Sequence, residues 1–281
     1  MQNLKTPQIK AKDVLECIIK RKFEPKKSIL ENMKVDLLDR FKEYENNKEH
    51  LENINDYKGI NEDQKEALLD CYKRKGYLEN TVIKKSIKDI QDPQHREKCP
   101  YCRINTPNTI DHYIPKDDFP EFSFLPINLI PCCSICNEKK GTRWKDENGR
   151  FFLNYYFDKI CEDKFLYVKL DYKKDDLKFT SSINYYLNTK NIKDNYNLDI
   201  IISHFDKLNL LDRYDKLIME EISNIYTKVM INDYPIDNHR ISIEMEYKTL
   251  KHVYGENYWK TVLYKSILDS NYIEDVYNSK S

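Results

Sequence analysis

Apolar positions recur with helical spacing over the first third of the chain. Val14, Leu15, Ile18 and Ile19 form one face. Leu30, Met33, Leu37, Phe41 and Tyr44 follow at intervals of three and four, as one side of a helix does. Ala67, Leu68, Cys71 and Tyr72 predict another helix, opened by the start signal Asn61-Glu62-Asp63. The charged stretch from Glu43 to Glu52 reads as a solvated face. Past residue 160 the period changes. Leu166, Val168, Leu170 and Tyr172 alternate with polar residues, Lys173-Lys174-Asp175-Asp176 supplies a turn, and Leu177, Phe179 and Ser181 follow, which predicts a hairpin. Helical spacing then returns along Tyr214, Leu217, Ile218, Ile222, Ile225, Tyr226 and Val229, and again along Trp259, Val262, Leu263 and Ile267. No repeat or low-complexity linker separates these parts. The expected fold is α+β and mainly helical: an N-terminal helical region over 1–95, a compact middle segment over 96–160, and a C-terminal hairpin-plus-helix region over 161–281. The two edges are soft.

Composition narrows the class. The chain has 281 residues, equal numbers of acidic and basic side chains (47 each) and 40% apolar residues, as a globular protein of about two domains would. No run approaches the roughly 18 apolar residues of a membrane-spanning helix. Met1-Gln2-Asn3-Leu4-Lys5-Thr6-Pro7 has no apolar core of the signal-peptide kind, so a cytoplasmic protein without a membrane partner is expected. The five glycines include no pair at the spacing of a phosphate-cradling loop, which excludes a P-loop ATPase or a dinucleotide enzyme. Zero formal charge argues against a strong standalone nucleic-acid clamp.

The cysteines change the picture most. Of the eight, Cys99, Cys102, Cys132, Cys133 and Cys136 crowd into the middle segment. They form two CxxC turns, Cys99-Pro100-Tyr101-Cys102 and Cys133-Ser134-Ile135-Cys136. Two such turns complete a closed tetrahedral site, so Cys99, Cys102, Cys133 and Cys136 are expected to bind structural zinc. Buried free thiols or a redox pair are the plainer alternative. Cys132 competes with Cys133, and the x2 spacing favours Cys133. Cys17, Cys71 and Cys161 read as packing residues.

Between the turns lie Asp111-His112-Tyr113-Ile114-Pro115 and Asn128-Leu129, and after the second turn come Asn137-Glu138-Lys139-Lys140-Gly141. In this order the segment resembles the HNH, or His-Me finger, endonuclease family, whose pattern runs CxxC, DHxxP, an NL pair and CxxCNxxK. The resemblance covers about 45 of the 281 residues. It implies a ββα-metal finger carrying structural zinc, embedded between the helical regions. It also implies hydrolysis of phosphodiester bonds, with DNA as the expected substrate. His112 would be the general base, since a neutral imidazole takes a proton from water near cellular pH. Asp111 and Asn137 would offer hard oxygen donors to catalytic Mg²⁺ or Mn²⁺. The third signature position holds Asn137 where His is commoner, and an amide oxygen suits Mg²⁺.

Neighbours on a strand face opposite ways, so Asp111 can hold the metal while His112 faces the attacking water. Cys133 and Asn137, four apart, would share one side of a short helix. Zinc would then pin the helix bearing a metal ligand to the hairpin bearing the base. Asn128 reads either as a residue ordering the loop beside the base, which the resemblance implies, or as a plain turn asparagine. Lys139, Lys140, Arg143 and Lys145 flank Trp144, and Lys140 and Arg143 are the candidates for contact with substrate phosphates. A solvated helix end with a core Trp is the alternative. His95, just before the first CxxC turn, reads as a surface residue or a spare ligand.

Residues 152–158 and 208–214 resemble, more weakly, HNH effectors of bacterial anti-phage systems of the Septu and retron-linked kind, which act beside an ATPase partner. Such a partner would reconcile nuclease chemistry with a neutral chain. A non-catalytic zinc-stapled binding module and an RNA-cleaving nuclease are the competing expectations. The sequence sets no oligomeric state.

Overall fold

The computed structural model describes residues 3–73, 82–172, 182–190, 192 and 195–280. They form two compact units, dividing at Lys159 and Ile160. The small sheets are each two-stranded and the rest is mainly helical. No described helix is long and apolar enough to cross a membrane.

The unit Asn3–Lys159 begins with α1 (Ala11–Arg21), α2 (Lys26–Asn32), α3 (Lys34–Asn46) and α4 (Glu62–Lys73). Val14, Leu15, Ile18 and Ile19 are the buried face of α1. The stripe expected as one helix from Leu30 to Tyr44 is broken at Met33, whose backbone caps both α2 and α3. Its apolar members are nonetheless all buried. α4 opens with a reciprocal cap: Gln64 N–H donates to the Asn61 side chain and Asn61 N–H to the Gln64 side chain, each at 2.9 Å. α5 (Val82–Lys88) and the single turn α6 (Pro93–Arg96) lead to the first CxxC turn. The helices and the finger thus share one unit.

The segment around the two CxxC turns consists of β1 (Thr109–His112), β2 (Leu129–Cys132) and α7 (Ser134–Lys140). The strands pair antiparallel, with Asp111 opposite Ile130 and His112 opposite Leu129. A small hairpin, β3 (Lys145–Asp146) and β4 (Gly149–Arg150), follows. Segment 152–158 then closes the unit from inside. Arg150 grips Asp158 through both terminal nitrogens at 2.9 and 3.1 Å, and the Tyr156 hydroxyl donates to the Leu129 carbonyl. The stretch that resembles anti-phage effectors is therefore largely buried architecture here.

The unit from Ile160 onward holds β5 (Leu166–Asp171), β6 (Ser182–Leu187) and α8 (Asn195–Lys207) through α9 (Leu210–Ile231), α10 (Ile236–Tyr254), α11 (Trp259–Leu268) and α12 (Tyr272–Asn278). β5 and β6 pair antiparallel from Leu166↔Leu187 to Asp171↔Ser182. The expected turn at 173–176 and return arm at 177–181 lie outside the described residues. The described return arm starts at Ser182. Asn257 organises the entry to β5, its amide oxygen accepting from the Phe165 and Leu166 N–H groups. α9 buries Tyr214, Ile218, Ile222, Ile225 and Val229, and α11 buries Trp259, Val262, Leu263 and Ile267, as their spacing predicts. Leu208, Leu210 and Tyr214 of the second effector-like stretch are also core residues.

Candidate active site and metal centre

The two CxxC turns converge. The Sγ atoms of Cys99, Cys102, Cys133 and Cys136 all lie within 4.8 Å of one another, and all four residues are buried. Cys102 and Cys133 Sγ are 3.8 Å apart. Four sulfurs about 2.3 Å from one zinc would stand about 3.8 Å from each other, so the cluster has the chemistry and size of a closed zinc site. Backbone N–H groups already point at the sulfurs: Ile104 donates to Cys102 at 3.5 Å and Cys133 to Cys99 at 3.3 Å. The Cys133 thiol is held well below its ordinary value by hydrogen bonds from Cys102, then Cys136 and Cys99. Cys132, at the end of β2, stands outside the cluster, and burial pushes its thiol up. His95 is not among the four. It is half-buried beside Arg103, 3.4 Å away.

Cys133 caps α7 and Cys136 lies in its first turns, so the sulfur cluster fixes where this helix starts. Further along, α7 runs over the face of β1 that carries Thr109 and Asp111. Asn137 Nδ2 donates to Thr109 Oγ1 at 3.5 Å. Lys140 Nζ donates to Asp111 Oδ1 at 3.0 Å and to the His112 carbonyl at 2.8 Å. Asp111 Oδ2 accepts from the Tyr101 hydroxyl at 2.6 Å. Asn137 of α7 thus meets, at Thr109, the face of β1 that carries Asp111.

His112 occupies the other face. Its Nε2 lies 2.8 Å from the Ser123 carbonyl. A carbonyl only accepts, so Nε2 carries the proton and Nδ1 is the basic nitrogen of the neutral ring. The ring is 9% exposed and packs edge-on against Tyr72 of α4, centroids 4.3 Å apart. Burial pushes the imidazole pKa down to about 4, outweighing the Ser123 contact and the nearby Asp111. His112 is thus neutral across the physiological range, as a base must be before it takes a proton.

The loop that presents Ser123 is clamped by the N-terminal helices. Arg40 of α3 donates to Glu121 from Nε at 3.0 Å and Nη2 at 2.6 Å. Ser123 Oγ donates to the Leu68 carbonyl of α4 at 3.0 Å. Asn128 is fully buried and uses its whole amide. Its oxygen accepts from Ile114 N–H and the Tyr44 hydroxyl, and its nitrogen donates to the Ile114 and Phe122 carbonyls. Asn128 therefore ties both ends of the loop to the end of β1.

The basic cluster after α7 divides. Lys140, read from sequence as a phosphate-facing cation, is wholly buried, because its stem runs inward to Asp111. Arg143 is exposed. Trp144 is a core residue, edge-on to Tyr113 and Phe119. Lys145 donates to the Glu52 carbonyl. Tyr101, Ser123 and Tyr72 were not singled out from the sequence as site residues. Tyr101 lies inside the first CxxC turn, where only the cysteines carry a signal. Ser123 acts through a backbone carbonyl, which no side-chain pattern encodes.

Residues 99–143 match the model of the HNH endonuclease family, so the chain carries an HNH endonuclease domain around its four-cysteine cluster. Such domains are generally nucleases that use divalent metals. The chain is also similar to protein ea31 of Escherichia phage lambda, with 28% identity over 187 residues. The match covers 62% of this chain and 62% of that relative, so the chain spans less than two thirds of its length. No solved structure matches.

Proposed function

We propose that this protein is a metal-dependent endonuclease that hydrolyses phosphodiester bonds in DNA, with His112 as the general base. The carrying observation is the His112 ring itself: neutral, and set by the 2.8 Å contact to Ser123 in the tautomer that leaves Nδ1 to take a proton. Asp111 and Asn137, on the opposite face of β1, are the oxygen donors for Mg²⁺ or Mn²⁺. Their chemistry fits a hard divalent cation, although the Asp111 carboxylate is at present answered by Lys140. When bound, the cation would neutralise charge on the phosphate and the departing oxygen.

The chain's own residues do the rest. Ser123 holds the ring and its proton at Nε2. Tyr72 limits water on one side of the imidazole. Asn128 keeps the loop registered on β1. Arg143, exposed just past α7, contacts a substrate phosphate. The four cysteines hold zinc, which fixes the start of α7, and no chemistry occurs there.

The test is cleavage of duplex DNA, single-stranded DNA and structured RNA by the full chain, with Mg²⁺ or Mn²⁺ supplied. Cutting of duplex DNA that needs the added cation is expected. Cutting confined to RNA would move the substrate assignment, and binding without cutting would favour a zinc-stapled binding module. The narrower reading, a defence effector released by an ATPase-type partner, is tested by co-purification with the product of a neighbouring ATPase gene. Its two sequence stretches are largely accounted for by packing.

A further inference from the structure

Lys140 is the most unusual cation among the described residues. It sits in the last turn of α7 with no exposed surface. Its ammonium donates to Asp111 Oδ1 and to the His112 carbonyl, and the Tyr113 and Phe152 rings stand 6.0 Å away on its flanks. A fully buried lysine is tolerated only where its charge is answered. Here Asp111 answers it, and the Tyr101 hydroxyl takes the other carboxylate oxygen. Each oxygen of the Asp111 carboxylate thus already accepts a hydrogen bond.

We propose that Lys140 is an internal counter-ion that competes with the divalent cation for Asp111, so that loading the catalytic metal requires the Lys140–Asp111 contact to break. The inference rests on the reading of Asp111 as a metal ligand and adds a residue that controls its occupancy. A hard cation bound to a carboxylate lies about 2.0–2.6 Å from its oxygen. An ammonium 3.0 Å from Oδ1 occupies much of that approach. A divalent cation and an ammonium crowded onto one buried carboxylate oxygen repel each other, because a low-dielectric interior screens them weakly. Metal loading would release Lys140 from the seam it forms between β1 and α7.

The test reads binding rather than cleavage. Mn²⁺ affinity is measured by electron paramagnetic resonance on the zinc-loaded full chain. Lys140→Met keeps the apolar stem and removes the charge, and should tighten Mn²⁺ binding at least tenfold. Adding Asp111→Asn to that variant should abolish the gain. A second measurement needs no variant. Amine labelling read by mass spectrometry should find Lys140 protected in wild-type protein without Mn²⁺ and labelled when Mn²⁺ is saturating. Mn²⁺ binding no tighter in Lys140→Met than in wild type, or a Lys140 that stays protected at saturating Mn²⁺, would overturn the proposal. A chain that shows the competition yet cuts no nucleic acid keeps this inference and loses the nuclease reading.

Discussion

The two ends of α7 solve opposite electrostatic problems. At its start, four buried sulfurs gather within 4.8 Å of one another. Without an ion they are crowded thiols. As four ligands they make a tight structural centre. At its end, the Asp111 carboxylate already holds an ammonium and a hydroxyl. One helix thus joins a cluster of four thiols compatible with zinc to a carboxylate that already meets a cation and a hydroxyl. In the proposed function this difference would separate a structural ion, which stabilises the fold, from a catalytic one, which must enter and leave without dismantling it.

The sharpest way to break this contrast is to take zinc away. Structural zinc contributes directly to folding. Cys99→Ser should therefore cost the Asn3–Lys159 unit roughly 5 kcal/mol or more, read as a large fall in melting temperature with loss of zinc by metal analysis. Unchanged melting in a zinc-free protein would remove the scaffold role.

Next in size is a pH effect on the other face of β1. His112 has a folded pKa of about 4, below the unfolded value of about 6.5. Between the two, the unfolded chain binds the extra proton. Stability is then full above pH 6.5 and falls as pH drops towards 4. The loss is about 3 kcal/mol at about 1.4 kcal/mol per pKa unit. Denaturant melts of wild type against His112→Gln across that window should show the slope only in wild type. Asn128→Ala follows, at about 2–3 kcal/mol, because four buried partners lose their hydrogen bond. The smallest effect is expected from Mg²⁺. Because Lys140 already satisfies Asp111, millimolar Mg²⁺ should raise stability by less than about 1 kcal/mol, measured as a small melting shift at constant ionic strength.

The sequence made one end of α7 far more legible than the other. A CxxC turn shows in the sequence as a two-residue gap, a feature of local geometry, and Cys99, Cys102, Cys133 and Cys136 do come together in one cluster. The helices were legible for the same local reason. Tyr214, Ile218, Ile222 and Ile225 recur at a period that maps directly onto one buried face. The stripe from Leu30 to Tyr44 hid the break at Met33, since three- and four-residue spacing survives a single-residue interruption. Lys140 was illegible because its burial depends on Asp111, 29 positions earlier, and a lysine among other basic residues reads as a solvated helix end. Ser123 was illegible for a different reason: its main chain, rather than its side chain, meets His112. Arg40 and Leu68 show what the preceding helices contribute. They hold the loop that aims this carbonyl, a long-range arrangement that periodicity cannot express.

Bond cleavage would depend on a single imidazole, and rescue chemistry tests that most directly. Single-turnover cutting of duplex DNA should be compared in wild type and His112→Ala, both zinc-loaded and supplied with Mn²⁺, with and without free imidazole. The expected result is a loss of about 10²–10⁴-fold in the variant, with a lower melting temperature because the buried ring and its contact to Ser123 are gone, and partial recovery of cutting on adding imidazole. A His112→Ala protein that cuts at the wild-type rate would contradict the assignment.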